Sequence, residues 1–203
     1  MPADGLRETL RLAAEDRRTN HDAFTTRVLM TTYRLGRYIT RRRAASRSRL
    51  GRLAWRLALE PGHRLHQLLS LLVGCEVPYT ATIGRRLRLV HGFHGVFLSV
   101  RASIGDDVTM LHHVTVGSDY AASGELSAPS IGDGVFIGVG AVLIGGIRVG
   151  NHARIGARAI VVTDVPDNAT AISPKAVIRE RSGPRPIERA IPDASKADRP
   201  RAG

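Results

Sequence analysis

The stretch that decides the fold is Ile131–Val161, IGDGVF-IGVGAV-LIGGIR-VGNHAR-IGARAI-V, which is written in sixes. Steps of six from Ile131 land on Ile137, Leu143, Val149, Ile155 and Val161, all aliphatic. Backward from Val116 the same step gives Met110, Ile104 and Leu98, then, after a three-residue slip, Leu89, Ile83 and Val77. The residue after the landing is often glycine (Gly84, Gly105, Gly132, Gly138, Gly150, Gly156), and the fourth one past it is small or branched (Ala102, Val108, Val135, Ala141, Ala153, Ala159). A helix of 3.6 residues per turn cannot hold a period of six in register, and each interior glycine would cost it about 1 kcal/mol. A parallel β-helix can hold it. Each hexad is then a short strand plus a turn, sending one aliphatic inward and stacking on copies of itself.

Two departures from the sixes stand out. Leu89 to Leu98 is nine residues, so three extra residues bulge at a corner, His91-Gly-Phe-His-Gly95, with His91 at their base. Val116 to Ile131 is fifteen, so residues 118–130 (SDYAASGELSAPS) loop outward, and a loop on a rigid scaffold is a favoured place for substrate contacts. With three hexads to a coil, His91 and His112 are one coil apart once the bulge is subtracted, and they stack on one corner. The column continues through Val139 and Ala157, passing from polar to small. On the residues alone, a histidine at such a turn is either a base or a satisfied polar group.

Composition narrows the class. The 203 residues hold 30 Lys+Arg against 18 Asp+Glu, a formal +12, and only Lys175 and Lys196 are lysines. This arginine bias reads as a GC-rich coding sequence rather than as the mark of a partner. Cys75 is the single cysteine, so no disulfide framework exists within one chain. No apolar run approaches the ~20 residues that span a bilayer, and residues 1–16 lack the apolar stretch of a signal peptide. A soluble, cytoplasmic protein without a membrane partner is the expectation.

Residues 1–74 read as four helices. Leu6, Leu10 and Ala13 share a face of the first, and Asn20 caps a second that carries Phe24, Val28, Leu35 and Tyr38 inward. Leu50, Leu53, Ala54 and Leu57 line a third, Pro61-Gly62 breaks it, and Leu65, Leu68, Leu69 and Leu72 line a fourth that ends near Gly74. The basic stretch Arg41–Arg52 has no aromatic platform and no groove-reading motif. It reads as a solvated face or subunit contact rather than a nucleic-acid or lipid site. Cys75 is a packing residue. Residues 181–203, rich in proline and charge, read as a disordered tail.

The hexads together with VVTDVPDNATAISPKAVIRE (161–180) resemble the left-handed β-helix of the hexapeptide acyltransferases. The His91 corner is similar to that of serine O-acetyltransferases, and its HG-x-x-G form is closer still to capsule-type O-acetyltransferases. The resemblance implies an α+β fold with a helical N-terminal domain (1–74) and a left-handed parallel β-helix domain (75–180) with a protruding loop (118–130). It implies an acetyl-CoA-dependent O-acyltransferase in which His91 is the general base. Glu76, reached by counting back without a gap through IGRRLRLV, falls where the family has the acidic partner of that base, usually Asp. His112 and His113 become secondary positions at the same corner. Gly117, Val139, Gly140 and Ala157 become coenzyme-A contacts, with Arg154, Arg158 and Lys175 for its phosphates. A homotrimer or dimer of trimers is implied as well, and the outward apolar residues Val142, Ile144 and Ile160 agree with it.

Imidazole and carboxylate suit that chemistry. A hydroxyl attacking a thioester must lose its proton, and imidazole, titrating near 6.5, accepts it. A carboxylate on the far ring nitrogen fixes the tautomer, while backbone N–H groups hold the developing oxyanion. One departure bears on the acceptor. Serine enzymes carry an Arg-His pair before the proline that re-enters the helix, whereas this chain has Ser127-Ala128-Pro129. A sugar or other small metabolite, acetylated on oxygen or nitrogen, is therefore an alternative acceptor. Two further alternatives are a γ-class carbonic anhydrase, whose zinc spacing His91, His94, His112 and His113 lack, and a non-catalytic β-helix module. No metal is expected.

Overall fold

The computed structural model describes residues 5–21, 23–120 and 124–178. The described residues up to 173 belong to one compact unit and residues 174–178 to a second. The predicted disordered tail, 181–203, lies outside the described residues.

Three helices come first: α1 (Leu6–Thr19), α2 (Phe24–Ala45) and α3 (Arg49–Val73). The two helices expected around Pro61 are one, with the proline inside α3. A proline costs its helix a hydrogen bond and crowds the carbonyl four residues back. Here Leu59 before it and Leu69 and Val73 after it pack on the same core, and this shared burial holds the axis through the break. Ser48 caps the start by accepting from Gly51 N (2.9 Å). Gly74, at φ 66, ends it in the left-handed conformation that glycine adopts without penalty.

Which helix faces turn inward differs from expectation. Phe24 is 71% exposed, while Leu29, Met30 and Tyr33 carry the buried face of α2. Leu6 and Leu10 are half exposed and only Ala13 of that trio is buried. In α3, Leu50, Leu53, Leu57, Leu65, Leu68 and Leu72 all point outward, and the buried side is built around His66.

The remainder is made of very short strands. β1 (Thr82–Ile83), β2 (Arg88–Leu89) and β3 (Phe97–Leu98) are followed by β4 (Ser103–Ile104), β5 (Thr109–Met110) and β6 (Thr115–Gly117). An antiparallel ribbon of β7 (Asp119–Tyr120) and β8 (Leu126–Ser127) interrupts them. The series resumes with β9 (Ser130–Ile131), β10 (Phe136–Ile137), β11 (Val142–Ile144), β12 (Arg148–Val149), β13 (Arg154–Ile155), β14 (Ile160–Val161) and β15 (Thr170–Ala171). They form three parallel sheets, β1-β4-β9-β12, β2-β5-β10-β13-β15 and β3-β6-β11-β14, which the chain visits in rotation. Ile131 pairs with Val149, Ile137 with Ile155 and Leu143 with Val161, in each case eighteen residues on, or three hexads. Every one of these aliphatics is buried.

One corner is closed by side chains as well. Asp106 Oδ1 accepts from Arg85 N, Asp133 Oδ1 from Asp106 N, Asn151 Oδ1 from Asp133 N, and Asp167 Oδ1 from Asn151 N, at 2.7–2.9 Å. Each turn amide thus finds its acceptor on the next coil, which turn geometry alone does not supply.

The first coil has no coil before it, so its edge groups face the helices, and α1–α3 satisfy them. Asn20, expected as an α2 cap, instead ends α1. Its Nδ2 donates to Leu87 O (2.9 Å) and its Oδ1 accepts from Leu89 N (2.8 Å). Tyr33 Oη donates to Ala81 O, Arg34 donates to the Ile83 and Gly84 carbonyls, and Arg37 reaches those of Tyr79, Thr80 and Ala81. The His66 ring bridges Thr32 Oγ1 (2.8 Å) and Val77 O (2.9 Å), and burial holds its pKa below the usual histidine range. The helical segment therefore covers the open sheet edge that would otherwise invite association.

Arg34 is the centre of this edge, and Asp16 answers its charge at 2.7 Å, both side chains being almost wholly buried. Burial pushes the Asp16 carboxyl above its usual range, although Arg34 pulls the other way. Removing one partner of a buried pair strands the other, at a cost of about 3–5 kcal/mol. Asp16→Ala is expected to lower the urea midpoint correspondingly with the m-value unchanged; a loss of under about 1 kcal/mol would show the pair to be solvated.

Candidate active site

The nine-residue step after Leu89 folds as a turn over residues 91–95. Phe93 is buried in the core, and Gly92, at φ 70, lies so close to α2 that a Cβ there would stand 2.8 Å from Thr26 Oγ1. Phe93 anchors the insertion, α2 backs it, and the His91 ring is left exposed. The backing by Thr26 had no signal in the sequence.

His91 and His112 meet edge to face, with centroids 5.0 Å apart and planes at 76°. His113 packs on His112 in the same manner at 5.2 Å. The backbone register adds a refinement. Counted from the strand before the corner, the coil-equivalent of His112 is His91. Counted from the strand after it, the equivalent is His94, whose carbonyl accepts from His113 N (2.8 Å). The column then continues as expected, because Gly140 N donates to His112 O and Arg158 N to Val139 O.

His112 is electrostatically distinct. Its Nδ1 has no accessible surface and no hydrogen-bond partner. Partial burial first, and then the imidazoles of His91, His113 and His94, hold its pKa below the ordinary histidine value. The corner thus presents an exposed imidazole stacked on one that resists protonation.

The other predicted residues divide into groups. Val139, Gly140, Ala157 and Arg158 lie together at the corner between β10/β13 and β11/β14, and Gly117 ends β6 on the far side of that sheet. Arg154 lies across the corner on β13, stacked 4.7 Å over the Phe136 ring. Lys175 is in the second unit and is exposed. Glu76 bridges to Phe97 at the start of the β3 sheet. No hydrogen bond or ion pair joins it to His91 among the described residues; it lines a cavity of about 410 Å³ with His66, Ser70 and Phe97. Ser127 Oγ donates to Asp119 O (3.1 Å) within the ribbon, and Ala128 follows it, half-buried. Cys75 is buried, and burial pushes its thiol up. Among the described residues, no three of His, Cys, Asp and Glu are placed to hold one metal ion, and no helix is long and apolar enough to cross a membrane.

Hexads visited in rotation with a histidine corner define a hexapeptide-repeat architecture, and residues 128–163 match the family model described as bacterial transferase hexapeptide (six repeats). The serine acetyltransferase of Helicobacter pylori (strain J99) is 42% identical over 112 residues, which are 55% of this chain and 64% of that protein. The putative colanic acid biosynthesis acetyltransferase WcaB of Escherichia coli (strain K12) is 36% identical over 106 residues, 52% of this chain and 64% of its own length. The chain therefore spans less than two thirds of these relatives. Serine acetyltransferase isoform 3 from Entamoeba histolytica, solved in complex with cysteine, shares the fold with a TM-score of 0.68 at 18% identity, over 86% of this chain and 62% of that one.

Histidine resonances followed by NMR across pH test the electrostatics of the corner. His112 is expected to titrate below the ordinary ~6.5 and to move upward in His91→Asn, which removes one neighbouring positive charge. Titration at or above 6.5, or no response to that substitution, would contradict the stacked arrangement.

Proposed function

We propose that the three sheets close as a left-handed parallel β-helix spanning residues 75–180, and that the chain is an acetyl-CoA-dependent O-acyltransferase of the serine acetyltransferase type. The observation that carries this reading is the exposed His91 imidazole, held where the hexads break and stacked on a His112 whose pKa is depressed. The likeness to the H. pylori enzyme supports the same reaction class.

In this mechanism His91 accepts the proton of the acceptor hydroxyl as its oxygen forms a bond to the thioester carbonyl carbon. Backbone N–H groups stabilise the tetrahedral oxyanion. Its collapse breaks the carbon–sulfur bond, and His91 returns the proton to the departing thiolate. Glu76 is the proposed partner of the base. Gly117, Val139, Gly140 and Ala157 are the proposed contacts of the pantetheine arm, and Arg154, Arg158 and Lys175 those of the phosphates. Val139 and Gly140 are half-buried, and Ala157 and Arg158 are exposed. The exposed Phe97, Ile160, Val162 and Ile172 support a homotrimer or a dimer of trimers, since a closed ring of copies would cover them.

His91→Ala is expected to lower turnover by about 10²–10⁴ while circular dichroism and melting temperature stay unchanged. Near-normal turnover in that variant would end the assignment.

A specific observation favours an acceptor other than free serine. Ser127 and Ala128 stand where an Arg-His pair would hold a carboxylate, and Arg86, a conceivable substitute, is engaged by Asp107 through two bonds of 2.6 Å. The likeness to WcaB points the same way. Hydrogen bonds to a charged group contribute about 1.5–3 kcal/mol, so L-serine is expected to fall roughly ten- to a hundredfold below sugar hydroxyls in kcat/KM. Steady-state comparison at saturating acetyl-CoA decides it, and serine equalling or exceeding the sugars would show a rebuilt anchor.

A further inference from the structure

Apart from Leu71, which also lines the Glu76 cavity, the outer side of α3 takes no part in the site above. Leu50, Leu53, Leu57, Leu68, Leu71 and Leu72 are all more than half exposed; the first three keep a three–four spacing, and about three turns on Leu68, Leu71 and Leu72 return to the same side of the helix. A stripe of this length on a 25-residue helix is not the scatter of single apolar residues that ordinary surfaces carry. Arg49, Arg52 and Arg56 run along one flank of it. With Arg43 from the end of α2 and Leu53 they line a surface depression of about 350 Å³ whose only other character is positive charge. None of these four arginines pairs with a carboxylate among the described residues. The sole acidic residue of α3, Glu60, is engaged by Arg64 at 3.1 Å.

The charge pattern selects the occupant. A second copy laid on this face would bring an arginine row against leucines or against its own like, with no free carboxylate on α3 to answer it. An anionic bilayer answers both features together: leucines enter the acyl boundary, and guanidinium groups meet lipid phosphates, snorkelling on their own apolar stems. We propose that α3 is a peripheral docking face for an anionic membrane surface, lying in the plane of the interface. The basic stretch, read from sequence as a solvated face or subunit contact, acquires this meaning only through the outward turn of the leucines. The proposal is independent of the acyltransferase reading.

The experiment is co-sedimentation of the full chain with vesicles of phosphatidylcholine alone or mixed with phosphatidylglycerol, with light scattering of the vesicle-free protein alongside. Binding to the anionic vesicles is expected to be at least ~10-fold tighter than to neutral ones and to weaken with salt. Leu57→Glu/Leu68→Glu and Arg49→Glu/Arg56→Glu are each expected to lose at least ~10-fold of that binding with mass and melting temperature unchanged. Absence of binding by the unaltered chain, or binding by either variant equal to that of the unaltered chain, would overturn the proposal. So would a fall in molecular mass in the leucine variant, which would make the face a subunit contact, and so would retention of inorganic phosphate without vesicle binding.

Discussion

The bond from an amide on one coil to a carbonyl on its neighbour is the interaction on which the rest of this molecule depends. A strand of two residues has no stability of its own, and a pair of such strands has little more. What holds them is stacking, in which each strand completes the hydrogen bonds of its neighbours and sends an aliphatic into the shared core, as Met110, Ile137 and Ile155 do in one sheet. Because a coil is held on both sides, extra residues can enter only where the chain turns. Both insertions, at residues 91–95 and 118–130, lie at such turns. The rigidity that forbids change along the faces is what makes a corner a dependable place to hold an imidazole.

The same constraint explains the helices. A stacked ladder must begin somewhere, and its first coil exposes a row of unpaired backbone groups. Asn20, Tyr33, Arg34, Arg37 and His66 are spread over all three helices, yet each bonds backbone between Val77 and Leu89. The helical segment is thus tied to the strands by polar side chains at least as much as by apolar ones. This is why Arg34 is buried with a counter-ion, and why α2 is close enough to back Gly92 beneath the His91 corner.

What the sequence disclosed follows from the range of each interaction. The hexad is local and repeats, so the aliphatics on its sixfold steps from Ile83 to Val161 were legible before any coordinates, whereas Val96, buried at the end of the corner insertion where the count slips, was not. Helix positions were legible in outline, but the buried face was not. Leu57 and Leu68 have the apolar character of core residues, and only the placement of α2 decides that Leu59 and His66 turn inward instead. Asn20 looked like a cap because caps are local. Its actual partners, Leu87 and Leu89, are nearly seventy residues away. At the site, the stacking of His91 on His112 was readable from coil arithmetic. The double register that also aligns His94 with His112 was not, since an insertion can be counted from either strand.

Electrostatics completes the reading of the corner. Three imidazoles in contact cannot all carry a proton without mutual repulsion, so the geometry itself ranks them. His112, stacked between His91 and His113 and partly withdrawn from water, is the one pushed toward neutrality. The His112 ring, meeting His91 edge to face at 5.0 Å, restricts the ring of His91. Glu76, by contrast, is placed by its bridge to Phe97 and lines the cavity beside α3. The His91–His112 contact is therefore fixed by the repeat of the strands, whereas among the described residues no contact joins Glu76 to His91.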